Sequence, residues 1–241
     1  MSSPESPQSS PPEPSLDRSG IKRIVQVVSG TLLFAIVLFL SAGRLDWPMA
    51  WLYVASWFVA LLAMTVIVRG KNPGLINERG HKSADTKRWD KVLMAVYAPM
   101  PFIILAVAGL DAGRFGWSSM PFALQIVGLA MMVPAFVMPT WAMVTNPFLA
   151  TTVRIQDDRG HHVVTTGPYQ VVRHPTYVGT ILTWLSTPLI LGSWWAMIPS
   201  GLCIVLFIVR TALEDKTMHE ELPGYAEYAQ RVRYRLLPGV W

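Results

Sequence analysis

Charged residues are scarce in this 241-residue chain. Asp, Glu, Lys and Arg together make up 15% of it, against 52% hydrophobic residues. A soluble domain typically carries about 25% charged residues, because its surface must be hydrated. A mean hydropathy of +0.37 is normal for a chain whose exterior contacts lipid. The composition therefore excludes an ordinary soluble domain and predicts an integral membrane protein.

Cysteine is nearly absent as well. The single cysteine, Cys203, excludes an internal disulfide framework. It lies in an apolar run, and a reactive thiol needs electropositive surroundings, so we expect a packed side chain there. The five histidines show no HExxH or similar spacing, and we therefore expect no metal site.

Blocks of basic residues with interleaved aromatic residues are also missing. The pI near 9.5 arises from Lys and Arg spread over the polar segments between apolar stretches. This pattern favours attraction to anionic lipid head groups over nucleic-acid binding. We expect no nucleic-acid partner, and no feature indicates an obligate protein partner.

The chain divides into three regions by composition. Residues 1–20 contain seven Ser and five Pro without apolar periodicity, which predicts a disordered tail. They are not a signal peptide, because the following apolar stretch starts late and lacks a small-residue cleavage site. We predict N-terminal transmembrane helices over 21–145. The third region, 146–241, holds the polar motifs.

Long apolar stretches predict an all-α membrane protein. Four of them are close to the twenty residues that a membrane-crossing helix needs: 24–42, 47–68, 92–110 and 120–145. A fifth, 178–209, is too long for one crossing and short for two. Pro188 and the Leu191-Gly192-Ser193 break predict a helical hairpin here, with two tight or partly re-entrant spans.

Positive charge predicts the orientation. If residues 178–209 cross an even number of times, 18 of the 20 Lys and Arg residues fall on one side of the membrane. Only Arg44 and Arg114 fall on the other. The positive-inside rule makes the larger set cytoplasmic. We therefore expect a protein of the cytoplasmic (inner) membrane with both termini cytoplasmic.

The segment from Thr166 to Gly179 is polar and turn-forming, and it leads directly into an apolar span. We expect Val163 to Thr165 to be a short extended piece, and Gly167-Pro168 to form a turn. Pro175 suits the first position of a helix, whose free N–H groups favour a carboxylate. An arginine and a histidine at the mouth of a span usually contact a polar ligand.

A second polar group follows the hairpin. Arg210 and Glu214 are four residues apart and would share one face of a helix leaving the membrane. The alternative is an ordinary ion pair, or an arginine that extends to the interface. For Tyr169 and Tyr177 the alternative is the aromatic belt of a membrane protein. For His161 and His162 it is a solvated loop.

Three motifs carry a resemblance to a known family. They are RHPTYVG from Arg173 to Gly179, Arg-x-x-x-Glu-Asp ending at Asp215, and Tyr-x-x-Tyr-x-x-Arg ending at Arg231, with Leu-Pro near the chain end. This combination resembles the isoprenylcysteine carboxyl methyltransferases, relatives of the phospholipid methyltransferases, and the length is similar to prokaryotic members. The resemblance covers roughly residues 145–241.

The resemblance implies an integral membrane methyltransferase that uses S-adenosyl-L-methionine. Its acceptor would be a lipid-like or small apolar molecule from the bilayer, methylated on a carboxylate, amine or thiol. Residues 146–241 would then be the catalytic region, with a cytoplasmic cofactor-binding linker and C-terminal helix. The cofactor-binding residues carried over from the family are His161, His162, Val163, Val164, Tyr169, His174, Pro175, Thr176, Tyr177 and Glu214.

Catalytic roles follow from the same resemblance for two residues. It implies that Arg210 lies on the acceptor side and that Glu214 acts at the cofactor. The family usually has Glu-Glu where this chain has Glu-Asp, so the role of Asp215 stays open.

Two other classes of function compete with this one. A membrane reductase using NADPH on a sterol or quinone-like substrate would have a similar C-terminal architecture, but the Arg-x-x-x-Glu-Asp spacing favours the methyltransferase. A scaffold or transporter subunit would not need a concentrated polar cluster outside the spans. Transporters also place polar groups at the membrane midplane, where this chain has almost none.

Overall fold

The computed structural model describes residues 17–80 and 85–241, so most of the predicted 1–20 tail lies outside the described residues. Every regular element within these ranges is helical. The helices are α1 (Arg18–Ala42), α2 (Pro48–Lys71), α3 (Pro73–Gly80), α4 (Arg88–Tyr97), α5 (Met100–Ala108), α6 (Phe122–Thr145), α7 (Pro175–Leu191), α8 (Met197–Glu221) and α9 (Tyr225–Arg231). A π-helical turn, Gly109–Phe115, extends α5.

Five helical segments are long and apolar enough to cross a membrane. They are Arg18–Ala42, Pro48–Lys71, Arg88–Phe115, Phe122–Thr145 and Met197–Glu221. The first four confirm the four predicted spans. The fifth is the second arm of the predicted hairpin, whose first arm is the 17-residue α7. The all-α membrane fold with a C-terminal helical hairpin is therefore confirmed.

The first helix begins earlier than composition predicts. The Asp17 carboxylate accepts hydrogen bonds from the backbone N–H groups of Ser19 and Gly20, at 2.8 and 2.9 Å. Such an N-cap satisfies donors that would otherwise be free, and it allows the helix to start at Arg18. Residues 18–20 are therefore helix, and the predicted boundary of the tail was wrong there.

The local structure predicted for the linker between α6 and α7 is observed in part. A 3₁₀ turn forms at Gly167–Gln170, and α7 begins at Pro175, as predicted. Val163 to Thr165 have no strand partner in the described ranges and are irregular. The side chains of Val163 and Val164 pack against a cluster of tyrosine residues.

Hydrogen bonds fix which helix ends lie together. The Asn72 side chain after α2 donates to the Met143 carbonyl in α6 at 2.9 Å. The Lys87 ammonium before α4 lies 2.6 Å from the Glu221 carboxylate at the end of α8. We call this end of the bundle, where linker residues 146–174 lie, the linker end.

The opposite end of the bundle is fixed by a buried acid. The Asp111 carboxylate accepts a hydrogen bond from the Ser193 hydroxyl in the hairpin turn at 2.5 Å. Arg114 donates to the Leu40 carbonyl at 2.8 Å. Since α1 starts and α8 ends at the linker end, residues 18–221 cross the bundle an even number of times, as the charge pattern requires.

Outward-facing side chains on the long helices are apolar. Leu40 is 70% exposed, and Val59 and Leu62 are each 68% exposed. Exposed aliphatic surface at this density is stable against lipid and unfavourable in water. The described helices therefore have the exterior of a membrane protein.

Close packing of α6 against α7 positions the RHPTYVG motif. A Cβ atom at Gly179 would lie 2.4 Å from the Pro139 ring and 2.7 Å from the Ala135 carbonyl oxygen. Only glycine allows the two helix backbones to approach this closely. The last residue of the motif thus sets the position of the residues before it.

We predict that Gly179→Ala destabilises the protein by about 1–3 kcal/mol, the usual cost of overpacking. The control is Gly201→Ala on α8, where an added Cβ has no atom within 4 Å. Thermal unfolding in detergent should show a lower midpoint for Gly179→Ala only. Equal midpoints for the two variants would contradict this account of the packing.

Candidate functional site

A cavity of about 420 Å³ lies at the linker end, which is within the range of small-molecule sites. Its walls come from α1, α3, α4, α7, α8, α9 and the linker. All eleven predicted site residues line it: His161, His162, Val163, Val164, Tyr169, His174, Pro175, Thr176, Tyr177, Arg210 and Glu214. The fold therefore brings two separate sequence motifs around one space.

The carboxylate of Asp215, which is 1% exposed, organises one wall of this cavity. Arg173 donates two hydrogen bonds to it, from Nε to Oδ1 at 2.7 Å and from Nη2 to Oδ2 at 3.0 Å. Arg235 and the Tyr225 hydroxyl donate to it at 2.9 Å each. The His174 Nε2 atom lies 3.3 Å from Oδ1. The acid whose role the sequence leaves open is thus a structural centre.

Arg173 also holds the C-terminal segment. Its Nη1 donates to the carbonyls of Val232 and Arg233 at 2.7 and 2.8 Å. Backbone bonds from Arg173 N to Tyr234 O and from His174 N to Arg235 O, both 3.0 Å, continue this contact. Burial lowers the pKa of Arg173, but hydrogen bonding to the Asp215 carboxylate outweighs it and the net shift is upward.

Glu214 presents its carboxylate to the cavity. Its Oε2 accepts a hydrogen bond from the Tyr177 hydroxyl. Its Oε1 lies 4.0 Å from His174 Nδ1, and no described residue donates a hydrogen bond to it. The rings of His174 and Tyr177 are parallel, with centroids 5.7 Å apart. One carboxylate oxygen is thus fixed, and the other is available to a ligand.

Arg210 pairs with a residue that the sequence analysis missed. Its Nε lies 2.8 Å from Oδ1 of Asp90 on α4, and its Nη2 lies 3.3 Å from Oδ2. The same Nη2 donates to the Thr151 carbonyl at 3.1 Å. The guanidinium carbon also lies 5.3 Å from the centre of the Tyr177 ring. No ion pair with Glu214 forms, so that alternative for the Arg-x-x-x-Glu spacing is wrong.

The two linker histidines pack on an aromatic ring. Phe148 lies between them, with its centroid 4.7 Å from that of His161 and 4.9 Å from that of His162. Burial lowers the pKa of His161 to about 4, and the neighbouring His162 adds to the effect. His161 is thus neutral at pH 7. Because Gln156 N donates to its Nδ1 at 3.3 Å, the proton lies on Nε2.

Tyr169 belongs to an apolar wall. Its ring packs with Tyr225 and Tyr228, and with Val163 and Val164 from the linker. It is 6% exposed, and Tyr177 is 9% exposed, so both are buried in protein and do not form an aromatic belt. Burial raises the pKa of Tyr169, which keeps the hydroxyl neutral.

Thr176 contributes a free polar atom. Its Oγ1 is buried, has no hydrogen-bond partner in the described part of the chain, and belongs to a residue that lines the cavity. Buried hydroxyls nearly always have a partner, so this one fits a ligand contact. His174 occupies the N-cap position of α7, and Pro175 follows as its first residue.

Two charged residues of the cavity escaped the sequence analysis, Arg23 on α1 and Arg79 on α3. Arg154 also lines the cavity and pairs with Glu78 at 2.8 Å. The signal available for Asp90 was an acid in the first turn of an otherwise apolar span. No group of three or more potential metal ligands occurs among the residues described.

We predict that Asp90→Asn destabilises the protein by about 3–5 kcal/mol, because it leaves the Arg210 charge buried without its partner. The control is Asp46→Asn, whose ion pair with Arg44 is exposed to solvent. That change should have little effect. Urea or thermal unfolding in detergent measures both, and a wild-type midpoint for Asp90→Asn would contradict a buried ion pair.

Comparisons with known proteins found a family profile, a curated relative and a solved structure that are similar to this chain. The profile of the phospholipid methyltransferase family matches residues 123–223. Protein-S-isoprenylcysteine O-methyltransferase B of Arabidopsis thaliana is 28% identical over 108 residues, which are 44% of this chain and 55% of that protein. The alignment thus spans about half the length of this curated relative.

A solved structure shares the fold. It is the eukaryotic intramembrane Ras methyltransferase ICMT, an isoprenylcysteine carboxyl methyltransferase, with a TM-score of 0.53 and 17% identity. The match covers 89% of this chain and 75% of that chain. Residues 123–223 are therefore similar to the phospholipid methyltransferases, and the chain shares the helical fold of isoprenylcysteine carboxyl methyltransferase.

Proposed function

We propose that this protein is a membrane methyltransferase that transfers a methyl group from S-adenosyl-L-methionine to a lipid-like acceptor. The observation that carries the proposal is the assembly of both motifs around one cavity at the linker end. There the Glu214 carboxylate faces the same space as the Arg210 guanidinium. No observation favours the NADPH-dependent reductase.

The residues of the cavity fit the proposed cofactor. S-adenosyl-L-methionine carries a sulfonium and an ammonium group, which need a carboxylate nearby, and Glu214 offers one free oxygen. The unpartnered Thr176 hydroxyl offers a polar contact. Aromatic and aliphatic walls at Phe148, Tyr169 and Val163 suit the flat adenine ring. The volume of about 420 Å³ is also suitable for a nucleoside ligand.

Positioning is the main task of the protein residues. When bound, the cofactor supplies an electrophilic methyl group. Linker residues 161–164, together with Tyr169 and residues 174–177, would enclose it and exclude water. Glu214, held by the Tyr177 hydroxyl, would balance its positive charge.

Arg210 would place the acceptor. Its guanidinium is fixed by Asp90 and by the Thr151 carbonyl, so its remaining donors keep one direction. A carboxylate or thiolate acceptor needs no general base, whereas an amine or neutral thiol must lose a proton. No cavity residue is an obvious dedicated base. The proposal therefore covers carboxylate, amine and thiol acceptors.

Apolar residues give the acceptor a path from the bilayer. Met94 and Tyr97 from α4 line the cavity together with Phe207 from α8. These helices are membrane spans, so a lipid-like molecule can reach the cavity sideways. Membrane lipids are the expected surroundings of this path.

We also propose that the linker end faces the cytoplasm and that the protein lies in the cytoplasmic membrane. The support is the concentration of basic residues at that end. With Cys203→Ser as background, Leu45→Cys lies at the opposite end and Arg233→Cys at the linker end. In intact cells a membrane-impermeant maleimide should label Leu45→Cys only, and labelling of Arg233→Cys would reverse the orientation.

We predict that Glu214→Gln weakens binding of S-adenosylhomocysteine by about ten- to hundredfold, because a hydrogen bond to a charged group contributes about 1.5–3 kcal/mol. Glu220→Gln is the control, since Glu220 lies on the same helix and is exposed. Titration calorimetry in detergent measures both. Unchanged affinity in folded Glu214→Gln would remove this residue from the cofactor site.

We predict the opposite pattern for Arg210→Lys. Lysine keeps the charge but loses the fork that binds Asp90 and an acceptor together. Turnover should be abolished while cofactor affinity stays within a few-fold of wild type. If cofactor affinity falls as far as in Glu214→Gln, Arg210 does not belong to the acceptor side.

A further inference from the structure

Two arginines of the cavity differ from the rest. Arg154, Arg173 and Arg210 each form an ion pair with a buried or partly buried acid. Arg23 and Arg79 line the same cavity, and neither forms an ion pair in the described ranges. Arg79 Nη1 donates to two backbone carbonyls, those of Leu149 at 2.9 Å and Ala150 at 3.5 Å. This leaves two positive charges without a counter-charge.

The two arginines line one cavity, Arg23 from the start of α1 and Arg79 from the end of α3. Burial lowers the pKa of Arg79 to about 10, and the positive charge of Arg23 is the next largest cause. Both side chains are half-buried, so solvent screens their repulsion only in part. Two like charges held together in this way are unfavourable unless an anion lies between them.

Packing builds this pair. A Cβ atom at Gly80 would lie 2.2 Å from the Ser19 carbonyl oxygen, so the end of α3 touches the start of α1. The Ser19 hydroxyl donates to the Asn77 carbonyl at 3.0 Å. Ile24 on α1 packs in one apolar cluster with Leu75 and Ile76 on α3. Packing between α1 and α3 therefore fixes the backbone that carries Arg23 and Arg79.

Charge divides the cavity into two parts. Glu214 provides the unpaired negative charge that suits a cationic cofactor. Arg23 and Arg79 provide unpaired positive charge at the linker end, near the start of the apolar helix α1. Basic pockets between membrane helices at this depth bind anionic head groups. Guanidinium forks also match the geometry of carboxylates and phosphates.

We propose that Arg23 and Arg79 bind the oxyanion, a carboxylate or a phosphate, of an anionic amphiphile whose apolar chain lies against Met94, Tyr97 and Phe207. The inference rests on the proposed function only in treating this part of the cavity as the acceptor side. Two sources share this chemistry: an acidic group on the acceptor itself, and the head group of an anionic phospholipid.

The test uses radiolabelled dodecanoate bound to purified full-length protein in a neutral detergent. Unlabelled dodecyl phosphate should displace it, and dodecanol, which has the same chain without charge, should not. The double variant Arg23→Gln/Arg79→Gln should bind dodecanoate at least about tenfold more weakly. The control Lys22→Gln/Arg69→Gln, which changes exposed residues of α1 and α2, should bind it as wild type does.

Two results would overturn the proposal. One is equal displacement by dodecanol and dodecyl phosphate in the wild type, which needs no variant to fold. The other is a loss of S-adenosylhomocysteine affinity in the double variant as large as its loss of dodecanoate affinity, because the pair would then bind the cofactor carboxylate. Failure of the cofactor to bind wild-type protein would instead count against the proposed function alone.

Mass spectrometry of lipids that co-purify separates the two sources. An anionic phospholipid retained by wild type and by Lys22→Gln/Arg69→Gln, and lost from the double variant, identifies a head-group site. Equal lipid content in all three, together with weaker dodecanoate binding in the double variant, identifies an acidic group on the acceptor.

Discussion

The buried Asp215 carboxylate is the interaction on which the rest of the site depends. A charge that is 1% exposed must be fully matched by donors, because an unmatched one would cost several kcal/mol. The donors come from distant parts of the chain: Arg173 before α7, Tyr225 on α9 and Arg235 near the C-terminus. Satisfying one carboxylate therefore joins the linker, the hairpin and the C-terminal segment.

Around this fixed centre, the charges of the cavity are either paired or left free. Asp90 forms an ion pair with Arg210 and holds that arginine in place at the cavity. Glu214 keeps one free oxygen, and Arg23 with Arg79 keep free positive charge. This separation suits two ligands of opposite charge in one space. Under the proposed function, the methyl donor and the acceptor would occupy different parts of the same cavity.

Local sequence patterns predicted most of the fold. Hydropathy located the four N-terminal spans and the hairpin, because lipid exposure demands continuous apolar surface. Pro175 marked the start of α7, since proline is favourable at a first helical position. The prediction of the tail from composition did not include Asp17 as an N-cap, although an acid before a helix is visible in the sequence. As a result, the predicted tail extended too far.

Long-range pairing could not be predicted in the same way. Arg210 and Asp90 are 120 residues apart, and Arg173 and Asp215 are 42 apart. Their contacts depend on how helices pack, and no local pattern records that. The same holds for Arg23 and Arg79, which line one cavity because the start of α1 packs against the end of α3. The resemblance, and no local pattern, predicted that the eleven site residues belong together. In the structure they line one cavity.

The most direct test of the central claim is transfer of labelled methyl groups. Purified protein is incubated with S-adenosyl-L-methionine labelled on its methyl group and with a membrane lipid extract, and the organic phase is separated and analysed. The account predicts a labelled lipid-like product that forms with wild type and not with Glu214→Gln. Absence of any labelled product from folded protein, together with binding of NADPH, would contradict it.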